Sequence, residues 1–154
     1  MKLGTLSLVI LIALTSRGMA QDNLVGIKWK TNLEKSKYDP NSGRRSGGVL
    51  TYEAKDGGYI VTFESVNAQG SPTKEVFGPY KLDGRPYPVT GGATYDATSY
   101  KMIDDATTEI VRYKEGKPIH LSTRVLSPDG KTLTFTTTGT MPGQFLTVAV
   151  YERQ

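Results

Sequence analysis

Apolar and polar residues alternate with a period of two along most of the chain after residue 47. Between residues 59 and 66, Tyr59, Val61 and Phe63 are separated by Thr62 and Glu64. Four further runs alternate in the same way: residues 98–103, 109–114, 117–126 and 131–138. A period of two with one apolar face is typical of a β-strand whose sheet is buried on one side. The pattern therefore predicts a series of such strands.

The alternation also assigns side chains to an inner and an outer face. In the run 117–126 it places Ile119, Leu121 and Val125 on the inner face and His120 and Arg124 on the outer one. In the two runs that precede it, Tyr100 and Met102 are predicted to point inward, as are Val111 and Tyr113, while Lys101 and Arg112 point outward. In the run 131–138, Leu133 and Phe135 are predicted to point inward, and the threonines outward.

Turn signals separate these runs at short intervals. A glycine suited to a positive φ occurs in each of five segments: 55–58, 67–70, 82–85, 114–117 and 127–130. Such punctuation is typical of consecutive hairpins, and it predicts an all-β fold of about eight to ten antiparallel strands. Residues 33–38 could form one short helical turn before Asp39 and Pro40. A sheet of this length hides its edges by closing, and short hairpin connections favour an up-and-down barrel.

The first twenty residues have the features of a signal peptide. Lys2 precedes the apolar run 6–14, and Gly18 and Ala20 are the small residues that signal peptidase recognises. The run is too short to anchor the chain as a spanning helix. We therefore expect cleavage after Ala20, a single domain over residues 21–154, no transmembrane segment after cleavage, and a periplasmic or secreted protein. The absence of cysteine favours a bacterial exported protein over an animal one.

Charge is concentrated near the start of the predicted mature chain. The formal charge of +4 includes Lys2 and Arg17, which would leave with the signal peptide. A basic segment, residues 28–45, then stands out, with six cations: Lys28, Lys30, Lys35, Lys37, Arg44 and Arg45. Nucleic-acid-binding proteins usually carry a broader basic face, so we expect no nucleic-acid partner. The segment is interpreted as a solvated loop or as a contact for an anionic surface.

Few residues suggest catalysis or a metal site. The chain has one histidine, His120, and no cysteine, so a zinc site with four nitrogen or sulfur ligands cannot be built. No nucleophile elbow and no glycine-rich phosphate loop occur. The neighbouring Asp104 and Asp105 are interpreted as turn residues. We therefore expect neither an enzyme nor a cofactor.

Both ends of the predicted domain resemble a known superfamily. The segment 24–30, which contains Gly26 and Trp29, resembles the Gly-x-Trp opening strand of lipocalins and fatty-acid-binding proteins, with one extra residue between the two. The segment 148–153 resembles the closing strand of the fatty-acid-binding proteins, although Ala149 stands where their arginine precedes Tyr151. The resemblance to small exported bacterial lipocalin-like proteins implies a barrel with Trp29 as a structural residue at its base, and it puts carboxylate capture by the closing strand in doubt.

Two functions remain open from the sequence. A hollow barrel would bind a small apolar or amphipathic ligand, because a barrel of this size can hold one small molecule. Five aromatic residues on the apolar faces are the predicted lining: Tyr59, Phe63, Tyr100, Tyr113 and Phe135. A filled barrel would instead be a structural or interaction domain that acts through its surface, at the basic segment. The oligomeric state is left open.

Overall fold

The computed structural model describes residues 19–38, 47–91, 94–139 and 146–154. These residues form one helical turn and ten strands: α1 (Met19–Asp22), β1 (Lys28–Lys37), β2 (Gly48–Lys55), β3 (Gly58–Val66), β4 (Pro72–Tyr80), β5 (Asp83–Thr90), β6 (Ala97–Met102), β7 (Thr107–Lys114), β8 (Lys117–Leu126), β9 (Thr132–Gly139) and β10 (Leu146–Arg153). The predicted signal peptide lies outside the described residues, except for Met19 and Ala20, which begin α1.

The ten strands form a closed antiparallel barrel in which each strand pairs with its neighbours along the chain. Closure is made by β1, which pairs with β2 at residues 28–30 and with β10 over most of its length. The predicted all-β up-and-down barrel is therefore confirmed. The fold is consistent with a calycin-like barrel. Because the first and last strands pair, none of the strands in the described ranges is an edge strand of an open sheet.

The turn chemistry of the sequence accounts for the tightest hairpins. Asp56 and Gly57, with φ of 52° and 72°, join β2 to β3. Glu115 and Gly116, with φ of 51° and 75°, join β7 to β8. Two successive positive φ angles define the turn whose twist matches that of the flanking strands, and glycine adopts this conformation at the lowest cost.

The connections alternate between two ends of the barrel, which we call the base and the mouth. The base contains the start of β1 and the hairpins after β2, β4, β6 and β8. The mouth contains the C-terminal ends of β1, β3, β5, β7 and β9.

The N-terminal segment 21–27 lies across the base. The backbone N–H of Gly26 donates to the carbonyl of Tyr52 at 3.0 Å, and Val25 forms an isolated bridge with the same residue. Leu24 is completely buried there, and so is Trp29 at the start of β1. Each such side chain contributes about 1.5–3 kcal/mol through burial. Trp29 therefore has the structural position at the base that the resemblance implied.

Two details of the sequence-based prediction are wrong. Residues 33–37 belong to β1 rather than to a helical turn, and the register of β1 against β10 shifts between Asn32 and Lys37. The faces of β7 and β8 are also reversed. The outer side chains Leu121 and Val125 are 42% and 40% exposed, whereas Arg124 on the inner face is 2% exposed.

Strand register explains the reversed faces. Tyr100 on β6 is paired with Ile110 on β7, Ile110 with Ser122 on β8, and Ser122 with Thr137 on β9. Residues directly opposite each other share a face of the sheet. Since Tyr100 points inward, Ser122 and its alternating neighbours on β8 must do so as well.

Candidate functional site

The interior of the barrel contains a cavity of about 770 Å³. Its wall extends from Tyr38, Val66 and Thr94 at the mouth to Tyr52 and Tyr100 near the base. Pockets for small ligands commonly measure about 300–1,000 Å³. Among the described residues, the barrel is thus hollow towards its mouth and filled at its base.

One side of the cavity is apolar and aromatic. Phe135 and Tyr151 meet edge to face with ring centroids 5.4 Å apart, and Phe63 contacts the same tyrosine at 6.4 Å. The apolar part of the wall is completed by side chains from β2, β3 and β4, among them Leu50, Val61 and Phe77. This surface can bury an apolar ligand group with a favourable free energy of about 25 cal/mol per Å² of apolar area.

A row of polar side chains crosses the wall of β6, β7 and β8. Thr98 is paired with Arg112, and Arg112 is paired with His120. All three residues line the cavity. Side chains directly opposite in an antiparallel pair have their Cβ atoms about 4.5–5.5 Å apart. The three residues therefore form one continuous polar surface, which we call the polar row.

Tyr95 connects the polar row with a carboxylate. The Arg112 guanidinium lies 5.0 Å from the centroid of the Tyr95 ring, and the Tyr95 hydroxyl donates to Glu75 Oε2 at 3.2 Å. Burial raises the pKa of Tyr95 to about 12, with Arg112 opposing the rise and Glu75 adding to it. Tyr95 is thus protonated at neutral pH, and Glu75 and Arg112 are placed on either side of it.

The floor beneath the cavity is a packed network centred on Arg124. Arg124 Nη2 donates to Gln21 Oε1 at 2.6 Å and to Thr108 Oγ1 at 2.7 Å, and the guanidinium lies 5.5 Å from the Tyr52 ring centroid. Gln21 in turn donates from Nε2 to the Tyr80 hydroxyl at 2.9 Å. The N-terminal segment is thereby bonded to the barrel interior.

Tyr80 connects this network with the cavity. Its ring stacks on that of Tyr100, a cavity-lining residue, with centroids 3.7 Å apart. Burial raises the pKa of both tyrosines, and that of Tyr52 as well. The floor is therefore a set of protonated phenols around a single buried cation.

The five residues predicted to line a ligand site fall into two groups. Phe63, Tyr100 and Phe135 lie on the cavity wall. Tyr59 lies instead beside a smaller surface pocket at the base, where its hydroxyl donates to Asp22 Oδ1 at 2.7 Å. Burial, followed by the Asp22 carboxylate, raises its pKa to about 12. Tyr113 faces away from the cavity, with its hydroxyl 3.4 Å from Ser99 Oγ.

The sequence-based prediction missed the polar row. It placed Arg112, His120 and Arg124 on the outer face, whereas the first two line the cavity and the third is buried beneath it. Hydrophobicity alone ranked Leu121 and Val125 above these residues as inner side chains. The available signal was strand register. Tyr100 and Phe135 point inward, and their strands, β6 and β9, pair directly with β7 and β8, which contain Arg112 and Arg124.

The basic segment lies on the outer surface where it is described. Lys28, Lys30, Lys35 and Lys37 are exposed on β1, and Arg44 and Arg45 lie outside the described residues. Lys35 Nζ is 2.7 Å from Glu152 Oε1, and this pairing raises the pKa of Lys35. An exposed ion pair of this kind contributes little to stability.

The described ranges contain no group of three or more histidine and acidic side chains that could hold a metal ion.

Asp104 is a turn residue, as predicted. Its Oδ1 accepts hydrogen bonds from the backbone N–H groups of Ala106 and Thr107. These contacts lower the pKa of Asp104, and the bond from Ala106 has the largest effect. No helix in the described part of the chain is long and apolar enough to cross a membrane.

Comparison with known proteins does not assign the chain to a family. The chain matches no model of a known protein family, and a search of curated proteins finds no relative. The class of protein defined by the fold is a ten-stranded antiparallel barrel with an internal cavity, and function has to be argued from that cavity.

Proposed function

We propose that this protein is a non-enzymatic binding protein that holds one small amphipathic molecule in its barrel. The observation that carries the proposal is the cavity of about 770 Å³, which has an aromatic side and a polar side. Ligand sites typically combine a mainly apolar lining with a few convergent polar groups. An amphipathic molecule would satisfy both surfaces at once.

The polar row and the apolar wall of β2 and β3 lie across the barrel from each other. In the ring of ten strands, β8 is five strands away from β3, and β7 is five strands away from β2. The polar row thus faces the wall that contains Leu50 and Phe63. This separation favours a ligand with a polar group at one end and an apolar body. A filled barrel that acts through its basic segment has less support, because the interior is open and Lys35 is already paired with Glu152.

A dye titration tests the proposal. The uncharged dye N-phenyl-naphthylamine becomes fluorescent in an apolar environment, and we expect it to bind the purified protein saturably, with one dye per chain. Ala149 lines the cavity, so Ala149→Trp should occupy the space and abolish binding. Leu121→Trp adds the same side chain on the outer face and should bind the dye normally. Equal binding by both variants, or no binding to the folded wild type, would refute the proposal.

We further propose that residues 1–20 direct export to the periplasm or medium and are then removed. Support comes from the apolar run 6–14 and from Gln21, which is completely buried at the base and so belongs to the folded domain. Mass spectrometry of the protein recovered from an exporting host should give a chain that begins at Gln21. Recovery only of cytoplasmic chains that retain residues 1–20 would contradict export.

A further inference from the structure

The polar row contains donors that lack a partner within the protein. Nε of Arg112 and Oγ1 of Thr98 are both buried, and neither has a hydrogen-bond partner among the described residues. The two residues are directly opposite on adjacent strands. A buried polar atom without a partner is energetically costly, so such atoms usually bind water or a ligand. The residues that carry them line the cavity, although the two atoms themselves are covered by their neighbours.

The charge of the cavity wall favours a negative group. Arg112 is permanently charged, and none of the ion pairs within the described ranges includes it. Glu75 is the one carboxylate among the lining residues that the structure describes, and it is occupied by the Tyr95 hydroxyl. His120, next to Arg112, can also donate to an anion. A cation in a low-dielectric cavity is stabilised most by an anion that also accepts its hydrogen bonds.

We propose that the polar row, formed by Thr98, Arg112 and His120, binds the oxyanion of an anionic amphiphile. The inference rests on the proposed function and specifies the ligand's head group as a carboxylate or sulfate. The apolar body of the ligand lies against the opposite wall, near Phe63 and Leu50. This site is on β6, β7 and β8, whereas the resemblance placed carboxylate capture on the closing strand, where Ala149 now stands.

Competition among ligands with one chain length and different head groups tests the inference. The ligands are dodecanoate, dodecyl sulfate, dodecanol and dodecylammonium, each below its micelle concentration, and the readout is displacement of N-phenyl-naphthylamine. We expect wild type to bind the two anions at least about tenfold more tightly than dodecanol, the size expected of hydrogen bonds to a charged group. Dodecylammonium should bind most weakly.

Variants assign the preference to the polar row. Arg112→Gln should bind dodecanoate and dodecanol with similar affinity, each measured against the variant's own affinity for the dye. Lys101→Gln removes the same charge from an exposed position, and it should keep the wild-type preference. Arg112→Lys, which restores the charge, should recover part of the preference. The inference would be overturned if Arg112→Gln lost affinity equally for all four ligands. It would also be overturned if Lys101→Gln lost the preference for anions.

The outcomes separate the two proposals. If the dye binds but the anions bind no more tightly than dodecanol, the binding function is supported and the oxyanion site is refuted. Failure of the folded wild-type protein to bind the dye or any of the four ligands would overturn both. A preference for either anion over dodecanol supports the site, whichever of sulfate and carboxylate binds more tightly.

Discussion

In the described part of the chain, two arginines point into the barrel, and their surroundings differ. Arg124, beneath the cavity, is 2% exposed and is bonded through Nη2 to Gln21 and Thr108. Arg112, four residue pairs nearer the mouth, lines the cavity and has a buried Nε without a protein partner among the described residues. The first arginine connects elements of the fold, and the second presents its charge to an open space.

The comparison distinguishes a structural cation from a binding cation. Burial of a charge is tolerated when hydrogen bonds compensate for lost hydration. Arg124 has two such bonds through Nη2, although its Nη1, like Nε of Arg112, has no partner among the described residues. Arg112 is compensated only in part, by the Tyr95 ring. Changes near Arg124 should therefore alter the free energy of unfolding, and changes near Arg112 should alter ligand affinity.

Alkaline pH should have the largest effect, and it should act on the base. Burial raises the folded-state pKa of Tyr52, Tyr80 and Tyr100 above the value of about 10 expected in the unfolded chain. Their stabilising contribution is complete below pH 10 and is lost as the pH rises towards the folded-state pKa. Each tyrosine should lower the free energy of unfolding by about 1.4 kcal/mol per pH unit above 10.

Urea denaturation at several pH values measures this effect. Three tyrosines together predict a loss of about 4 kcal/mol per pH unit, which exceeds the net stability of most small proteins within a few units. Tyr59, Tyr95 and Tyr151 also have raised pKa values and add to the slope, so Tyr100→Phe should reduce it by about 1.4 kcal/mol per pH unit. A free energy of unfolding that stays constant from pH 10 to pH 12 would show that the base does not depend on protonated tyrosines.

Removal of the structural arginine should have the next largest effect. Arg124→Ala leaves Gln21 and Thr108 without their partner and creates a void, so we expect a loss of about 3 kcal/mol of folding free energy. Arg112→Ala should cost less, because its guanidinium contacts an open cavity. Chemical denaturation of both variants checks the ranking, and the reverse order would contradict the assigned roles.

Removal of the binding arginine should change affinity and leave stability nearly constant. Arg112→Gln should weaken dodecanoate binding by about tenfold, equivalent to about 1.4 kcal/mol. Its urea midpoint should stay close to that of Lys101→Gln. If the affinity loss were accompanied by an equal loss for dodecanol, the effect would be one of folding or of cavity shape.

Removal of the cavity carboxylate should give the smallest effect, and it should increase the affinity for dodecanoate rather than decrease it. Glu75→Gln eliminates a negative charge near Arg112 while it keeps an acceptor for the Tyr95 hydroxyl. Dodecanoate should bind a few-fold more tightly, by ~0.5–1 kcal/mol for one screened charge at several ångströms, and dodecanol should be unaffected. Calorimetric titration measures both, and weaker dodecanoate binding would indicate that Glu75 supports the site rather than opposing it.

The fold could be predicted from the sequence because its signals are local. Hairpins follow the glycines at positions such as Gly57 and Gly116, and strands follow the alternation between them. The aromatic lining at Phe63, Tyr100 and Phe135 was also predictable, since each lies on the apolar face of its own strand.

The polar row could not be predicted strand by strand. In β8, the more hydrophobic face is the outer one: His120 and Ser122 lie on the inner face, whereas Leu121 is exposed on the outer face. Isolated exposed apolar residues are common in proteins, so hydrophobicity was a weak guide there. The face is determined by register with β7 and β9, which is a property of three strands together.

A crystal structure of the protein with dodecanoate tests the central claim most directly. The account predicts one ligand inside the barrel, with its carboxylate within hydrogen-bonding distance of Arg112 and its chain against Phe63 and Leu50. An empty cavity in crystals grown at saturating dodecanoate would contradict the binding function itself. A bound chain whose carboxylate points away from Arg112, towards the mouth, would contradict the role of the polar row.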